Sequence, residues 1–587
     1  MKMSETVRRL ATKRRRGARP GDEGIAIIMV IGVGFVVSLL LSTLIAYTVL
    51  SIGNARQEQD YQSAVSAARA GVDDYVAHLN ANNVYWQSTD CTNIAMQRPM
   101  GGTCGWGTST AIGWVPIAGA KTPSGTSCTV TPTPPSCAVY HYDVDASSTL
   151  SNGTISVSST GKSKGVTRTV KVLVRRQSFG DFLYFTNFET IDPSNPFVYG
   201  FNNTTAATQC SRHFWDSPPR NTSYCLDINF ISGDTINGPL HSNDALLMLG
   251  TPTFNGPVTT AYPSCQPVGG VAPPASSCYR NAGGANPTFA KGISYVPQLP
   301  MPASNGALQA QTISTTSYGT PGCGYTGPTR IHFNNDGTMD VWSPYTKTVN
   351  TGCGTAPFTA SSQRITVPAN NVIYVAGVPS GQASPAAGNC AAGAIGGFPQ
   401  ANDVNFSYGE YDCRAGTVFV DGVLKGRVTI GSQSNIVITD NITYAGGSSG
   451  GDSLGLIAQN AVEVYHPVQC SAFDSSGNCS SGTNMNRPTG TPFNNPIINA
   501  AILSLQHSFG VQLFSLGSPL GTLNVYGSIA QLYRGVVGTT SNGSVASGYI
   551  KSYVYDTRLK FAPPPFYLTP VQAKYIAAVF AETASTY

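Results

Sequence analysis

The stretch Gly24–Asn54, GIAIIMVIGVGFVVSLLLSTLIAYTVLSIGN, contains no charged residue. As a helix, Ile25 to Leu50 would run about 39 Å against a hydrocarbon core of about 30 Å, long enough to cross a membrane. Residues 1–23, just before it, carry eight Lys or Arg against three Asp or Glu. That is the whole of the formal net charge of +5, and the rest of the chain balances. A basic flank beside the first apolar helix predicts a single-pass membrane protein, N-terminus cytoplasmic and bulk extracellular. A nucleic-acid tail is the rival reading of RRLATKRRRGARP, but the run abuts the membrane helix, and no nucleic-acid partner is expected. A cleavable signal has a shorter apolar core and a small-x-small cleavage site, so an anchor fits better.

All fourteen cysteines lie beyond this segment, between Cys91 and Cys479. They fall into near neighbours: Cys91 with Cys104, Cys128 with Cys137, Cys210 with Cys225, Cys265 with Cys278, Cys323 with Cys353, Cys390 with Cys413, and Cys470 with Cys479. An even count in an exported chain predicts disulfides, with sequential pairing the simplest of many connectivities. No Cys-x-x-Cys or Cys/His spacing points to zinc, and no metal or cofactor is expected.

Beyond Asp60, apolar residues return at Tyr61, Ala64, Val65, Ala68, Val72, Tyr75, Val76 and Leu79, spacings that draw one helical stripe. The sequence thus predicts one helix over 24–83, its first half in lipid. Its second half carries a slim packing face at Ala64, Ala68, Gly71, Val72 and Tyr75. This half either caps the next domain or packs against copies of itself. Residues 84–178 alternate apolar and polar in YHYDVDA, TISVSSTG and TRTVKVLVRR, as strands of a small antiparallel β module do. From 179 to 568, short β-rich runs recur between Gly and Asn, and INGPL and FNGPV place Gly238 and Gly256 18 residues apart. The expected fold class is mainly β: a parallel β-helix or solenoid, with stacked sheets as the rival, interrupted by Cys-bearing insertions near 260–290, 380–415 and 466–496. Residues 569–587 read as a closing helix, with Thr569 as N-cap and Pro570 at its first position.

The phrase DEGIAIIMVIGVGFVVSLLLSTLIAYTVLSIGNARQEQDYQSAVSAARAGVDDYVAHL resembles the PilX N-terminal family of type IV pilus assembly proteins. The resemblance rests on Gly24 before the apolar helix and on the small-residue segment AVSAARAGVDDYV. Phrases such as INGPLHSNDALLMLGTPTFNGPV and YVYDTRLKFAPPPFYLTP are similar to exported portions of pilus-assembly-type proteins from Gram-positive bacteria. The resemblance implies a possible processing or anchor site at Gly24 and Ile25, and other pilin-like subunits or assembly machinery as partners. Cleaved pilins carry Glu five residues after the processed Gly, and here that position is Met29. A minor, initiating or permanently anchored component fits this departure better than a major pilin.

Chemistry is sparse. Parallel β-helices often house polysaccharide lyases and hydrolases, which need paired carboxyl groups. Asp336, Asp340, Asp421, Asp440 and Asp452 are the candidates, yet Asp336 and Asp421 read first as turn residues before Gly, Asp440 closes a strand, and no clustered Asp pair is present. His241 with Asp244 could form a base and its orienter, and His466 stands before Pro467. Gly32 and Gly34 lie in the apolar helix, where they would admit a neighbouring helix. The aromatics of FVYGFNN, RHFWD and SYVYD offer a surface for glycans or proteins. The expected function is a structural or adhesive pilus-like component. The alternative is an anchored carbohydrate-binding module or carbohydrate-active enzyme.

Overall fold

The computed structural model describes residues 23–587 apart from 99–103, 105–111, 131–135, 150–152, 201, 314–318, 359–360, 404–410, 476–478, 542–543, 572 and 586. The basic segment 1–22 lies outside the described residues. One helix runs from Glu23 to Ala81, ending where LNANN was expected to stop it.

The two halves of this helix have different surroundings. From Ile27 to Tyr47 the large apolar side chains are 47% to 74% exposed, while Ala64, Ala68, Val72 and Leu79 are completely buried. The buried half lies on a five-stranded antiparallel sheet of Val115–Pro116, Val139–Asp145, Thr154–Ser163, Val166–Arg176 and Tyr575–Thr583, in that spatial order. The central hairpin turns through Lys164 and Gly165, both at positive φ, a two-residue connection suited to the twist of its strands. Val72, Tyr75 and Leu79 meet Tyr142, Val157 and Val172 in one core.

Two departures from the sequence reading arise here. The segment over 569–587 is not a closing helix: Tyr575–Thr583 is a strand beside Val166–Arg176. YIAAVF carries aromatic and β-branched residues that suit a pleated surface, and the neighbouring strand otherwise presents an open edge. The small β module is therefore not confined to 84–178, because its sheet includes the C-terminal strand. Everything between Arg176 and Tyr575 is an insertion into it.

That inserted body is built from three stacks of parallel strands. The first runs in spatial order Cys323–Thr326, Asn371–Ala376, Arg427–Ser432, Ser453–Ala458, Ile497–Ser504, Pro519–Tyr533, Tyr184–Phe188, Leu240–Ser242, Val258–Thr260 and Ile293–Tyr295. The second stacks Thr329–Phe333, Val418–Leu424, Ile436–Tyr444, Val462–Val464 and Phe509–Val511. The third passes through Ser544–Tyr555, and the bridge Asn237–Val554 joins it to Thr235–Ile236, Thr253–Phe254 and Thr288–Phe289. The 18-residue spacing of Gly238 and Gly256 reappears as the register Leu240 to Val258.

Spatial order is not chain order. The chain starts mid-stack at Tyr184–Phe188, walks to one end at Ile293–Tyr295, restarts at the opposite end at Cys323–Thr326, and returns. Its returning strand, Pro519–Tyr533, then lies directly beside the outgoing one.

The cysteines pair as sequential neighbours. In the module, Cys91 is bonded to Cys104 and Cys128 to Cys137. In the body, Cys210 is bonded to Cys225, Cys265 to Cys278, Cys323 to Cys353, Cys390 to Cys413, and Cys470 to Cys479. No cysteine is free among the described residues. The pairs at Cys265 and Cys278, Cys390 and Cys413, and Cys470 and Cys479 staple the three expected insertions, and around the second of them Ile395, Phe398 and Tyr411 form a buried apolar cluster.

The helix approaches its sheet through glycine. A Cβ on Gly161 would stand 2.0 Å from the Ala64 carbonyl oxygen, and one on Gly71 would stand 2.3 Å from Ser159 Oγ. Gly161→Val is therefore expected to destabilise the helix–sheet unit by about 1–3 kcal/mol, the usual range for overpacking. A urea midpoint unchanged by that substitution would refute the contact.

Candidate functional site

The exposed half of the helix is the most prominent functional feature of the chain. It is long and apolar enough to cross a membrane. Within it, the hydroxyls of Ser38, Ser42 and Thr48 donate to the carbonyls of Gly34, Ser38 and Leu44 at 2.7 to 3.0 Å. These polar groups are thus satisfied inside the helix, as an apolar surrounding requires. Among the described residues, nothing beyond the adjoining helix backbone comes within 4 Å of a Cβ on Gly32 or Gly34. Met29, where cleaved pilins carry a carboxylate, is 69% exposed on this surface. Gly24 and Ile25 lie in its first turn.

The small-residue face, expected either to cap the next domain or to pack against copies, caps the module. Ala64, Ala68, Gly71, Val72 and Tyr75 are all buried against the module's own sheet. Polar clamps fix this arrangement. Tyr142 donates to Asp74 at 2.8 Å, and Asn80 bonds both the N–H and the carbonyl of Tyr575, at 2.6 and 3.3 Å. One face of the lower helix is thus taken up by the module's own sheet, while Ser66, Arg69, Asp73 and Ala77 on its other face are exposed.

The candidate carboxylates are engaged locally. Asp336 accepts from Thr338 across its turn, Asp340 binds Arg364 at 2.9 Å, and Asp440 pairs with Arg487 at 2.6 Å. Asp452 accepts from the backbone of Gly426 and Gly446, both at 2.7 Å. Asp421 is buried and engages His332, Arg330 and Thr439. The strand register sets Asp340 and Asp421 on either side of His332, a juxtaposition invisible in the sequence because 81 residues separate the two carboxylates. The His332 pairing raises the imidazole pKa, and it lowers that of Asp421 against the effect of burial.

His241 and Asp244 do not form a base and its orienter. His241 is fully buried, bonded to Thr259 Oγ1 at 2.8 Å and Asn243 Oδ1 at 2.9 Å, with its ring on Phe185. Asp244 instead accepts from the N–H groups of Glu189 and Phe214 and pairs with Arg220. His466 is likewise buried, held by the Gln512 carbonyl and Asn484. Of the aromatic phrases, RHFWD builds a row: Phe188, His213, Trp215 and Tyr262 stack at 4.8 to 5.6 Å and are half-buried. The FVYGFNN ring of Tyr199 stacks on Tyr224.

The alternation in SYVYD carries a signal that a reading for aromatics alone overlooks. Tyr549 and Tyr553 are buried, whereas Lys551 between them, paired in register with Leu523, is exposed at the mouth of a cavity. Arg534, fully buried, lies across the same cavity.

Comparison with known proteins adds little to this geometry. A family model described as "Domain of unknown function (DUF4900)" matches residues 139–265, from the second module strand into the first part of the body. No curated protein matches. Among solved structures, the chain is similar to the competence-associated pilin ComZ from Thermus thermophilus. The match covers 89% of this chain and 97% of that one at 12% identity, with a TM-score of 0.24. An overlap that loose carries no argument about fold or function.

The buried imidazole predicts a pH dependence. Burial pulls His241 down to about 4, with Asn243 opposing. The folded protein holds it neutral, whereas the unfolded chain protonates it below about 6.5. Stability present above that value is therefore lost as pH falls through about 4, by on the order of 3 kcal/mol at pH 4. His241→Gln should flatten the fall in Tm between pH 7 and 4, and an unchanged slope would assign acid sensitivity to other groups.

Proposed function

We propose that the protein is a minor pilin-like component or assembly factor of a type IV pilus-like surface system, structural and adhesive rather than catalytic. The observation that carries this reading is the division of one helix into a free apolar half and a half docked on a sheet. Such a helix can sit in a membrane, or in the apolar interior of a filament, while holding a large body outside. The resemblance of this segment to the PilX N-terminal family supports the same reading. On it, the basic segment stays in the cytoplasm, the span crosses the cell membrane once, and the disulfide-bearing body faces outward. Other pilin-like subunits or assembly machinery are the partners. Met29 in place of a carboxylate favours an initiating or permanently anchored role.

The three stacks of parallel strands fit a β-solenoid that displays its insertions. The half-exposed ring row from Phe188 to Tyr262 favours a second reading, an anchored module for glycans or proteins, since rings offer contact area at low entropy cost.

The N-terminal sequence of mature protein, taken separately from membranes and from sheared surface material, tests the proposal. The expected result is an intact basic N-terminus in the membrane fraction, cross-linking to pilin-like subunits through residues 27–56. A start at Ile25 in sheared filaments would make it a processed filament subunit. Membrane protein that cross-links to no pilin-like neighbour would overturn the pilus reading in favour of a tethered surface module.

A further inference from the structure

A cavity of about 220 Å³ opens where the outgoing and returning parts of the body meet. Its walls come from the outgoing strand at Tyr184, the following turn at Phe230 and Asp234, and the returning segment at Arg534, Lys551 and Tyr553. At this level the third stack is joined by the single bridge Asn237–Val554, so its strands part and the interior is reached by solvent.

Two cationic groups face this space without full partners. Lys551 lines the cavity from the strand that carries the buried Tyr549 and Tyr553; its own side chain is exposed, and among the described residues it has no hydrogen-bond or ion-pair partner. Arg534 is 1% exposed; its Nη1 serves Glu189 at 3.2 Å and the Ile228 carbonyl at 2.9 Å, but its Nε has no acceptor. Glu189 answers one charge only, and Asp234 accepts from the Ile231 N–H of its own turn. The Lys551 ammonium is open to water, so an anion entering the cavity would meet it without displacing a protein partner.

We propose that this cavity binds a small organic carboxylate of monosaccharide size, an acidic sugar, with Lys551 and Arg534 holding its carboxylate. The anion answers the unpaired Lys551 ammonium and gives Arg534 Nε the acceptor it lacks. The rings of Tyr184, Phe230 and Tyr553 offer flat apolar walls to a sugar ring, and Asp234 offers an acceptor to its hydroxyls. The site does not depend on whether the helix ends in a membrane or a filament.

The test uses the full chain in detergent micelles with glucuronate, glucose and inorganic phosphate as probes. Glucuronate is expected to raise Tm and to show saturation transfer to its ring protons. Lys551→Met should weaken this binding at least about tenfold, as loss of a charge-assisted hydrogen bond does. The same variant, free of ligand, should keep the wild-type Tm, because an exposed side chain without a partner contributes little to stability. Lys551→Gln makes the same measurement should the methionine variant not fold, and Lys551→Arg should retain binding. Absence of glucuronate binding, undiminished binding in Lys551→Met, or equal affinity for glucose would overturn the proposal. Phosphate binding as tightly as glucuronate would overturn the acidic-sugar assignment in favour of a bare-anion site.

Discussion

The ion pair between Arg534 and Glu189 holds the body closed at its middle. The outgoing strand and the returning strand are separated by more than three hundred residues, yet they lie side by side in register, Ile529 to Tyr184. Just beyond that pairing, Arg534 reaches Glu189 and the carbonyls of Ile228 and Asn229, and its guanidinium packs 3.7 Å over the Phe230 ring. Both charged groups are fully buried. Removing one partner of such a pair typically costs about 3–5 kcal/mol, because the other is left uncompensated. Glu189 is further tied through Ser242 and Thr186, and its N–H is held by Asp244. Asp244 in turn pairs with Arg220, which pairs with Asp227 at 2.9 Å. The network locks one particular meeting of two chain segments, a specification that apolar packing between similar strands supplies less well.

A stack that begins and ends at its centre must carry a crossing from one end to the other. Residues 296–312 make it, and they run along the first stack held level by level. Asn243 bonds the backbone of Leu299, Gln459 reaches the Ala303 carbonyl, and the Asn305 amide donates to Ser432 and Ile457. The C-terminal stretch covers the same face, with Tyr567 donating to the Ile502 carbonyl and Thr429 to Pro565. Leu308, Leu559 and Tyr567 join Val372, Ile457 and Leu503 in one apolar layer. The outer side of the first stack is thus a second core, which explains why its strands are apolar on both faces.

The sequence made some of this legible and hid the rest for identifiable reasons. Charge absence over Gly24–Asn54, helical spacing from Tyr61 to Leu79 and strand alternation in TVKVLVRR all act within a few residues, and each named its element correctly. The disulfides were readable for a similar reason: partners such as Cys128 and Cys137, or Cys210 and Cys225, close short loops, so nearness along the chain stands in for nearness in space. The register of Gly238 and Gly256 was readable because neighbouring coils there have no insertion between them. The C-terminal strand was misread because TPVQAKYIAAVF carries acceptable helix-start signals, and the pull of an open sheet edge about four hundred residues away leaves no local trace. Asp244 was read with the nearby His241 rather than with Arg220 and Glu189 for the same reason, since its true partners are set by contacts across the fold.

The same long-range closure bears on how the helix can act. Tyr575 is clamped by Asn80, and Tyr61 bonds Glu582 at 2.8 Å. The C-terminal strand therefore holds the lower helix against the sheet over about five turns. Ala64, Ala67, Ala68 and Gly71 are small because the sheet comes close, with Gly161 against the helix backbone. Of the two sequence readings of this small-residue stripe, capping the next domain and packing on copies, the sheet contact accounts for it by the first. The apolar stretch beyond is left uncovered, and no charge complementarity there fixes a register. A body held rigidly on a helix with such an undemanding surface is suited to joining a lipid or filament interior of varied composition.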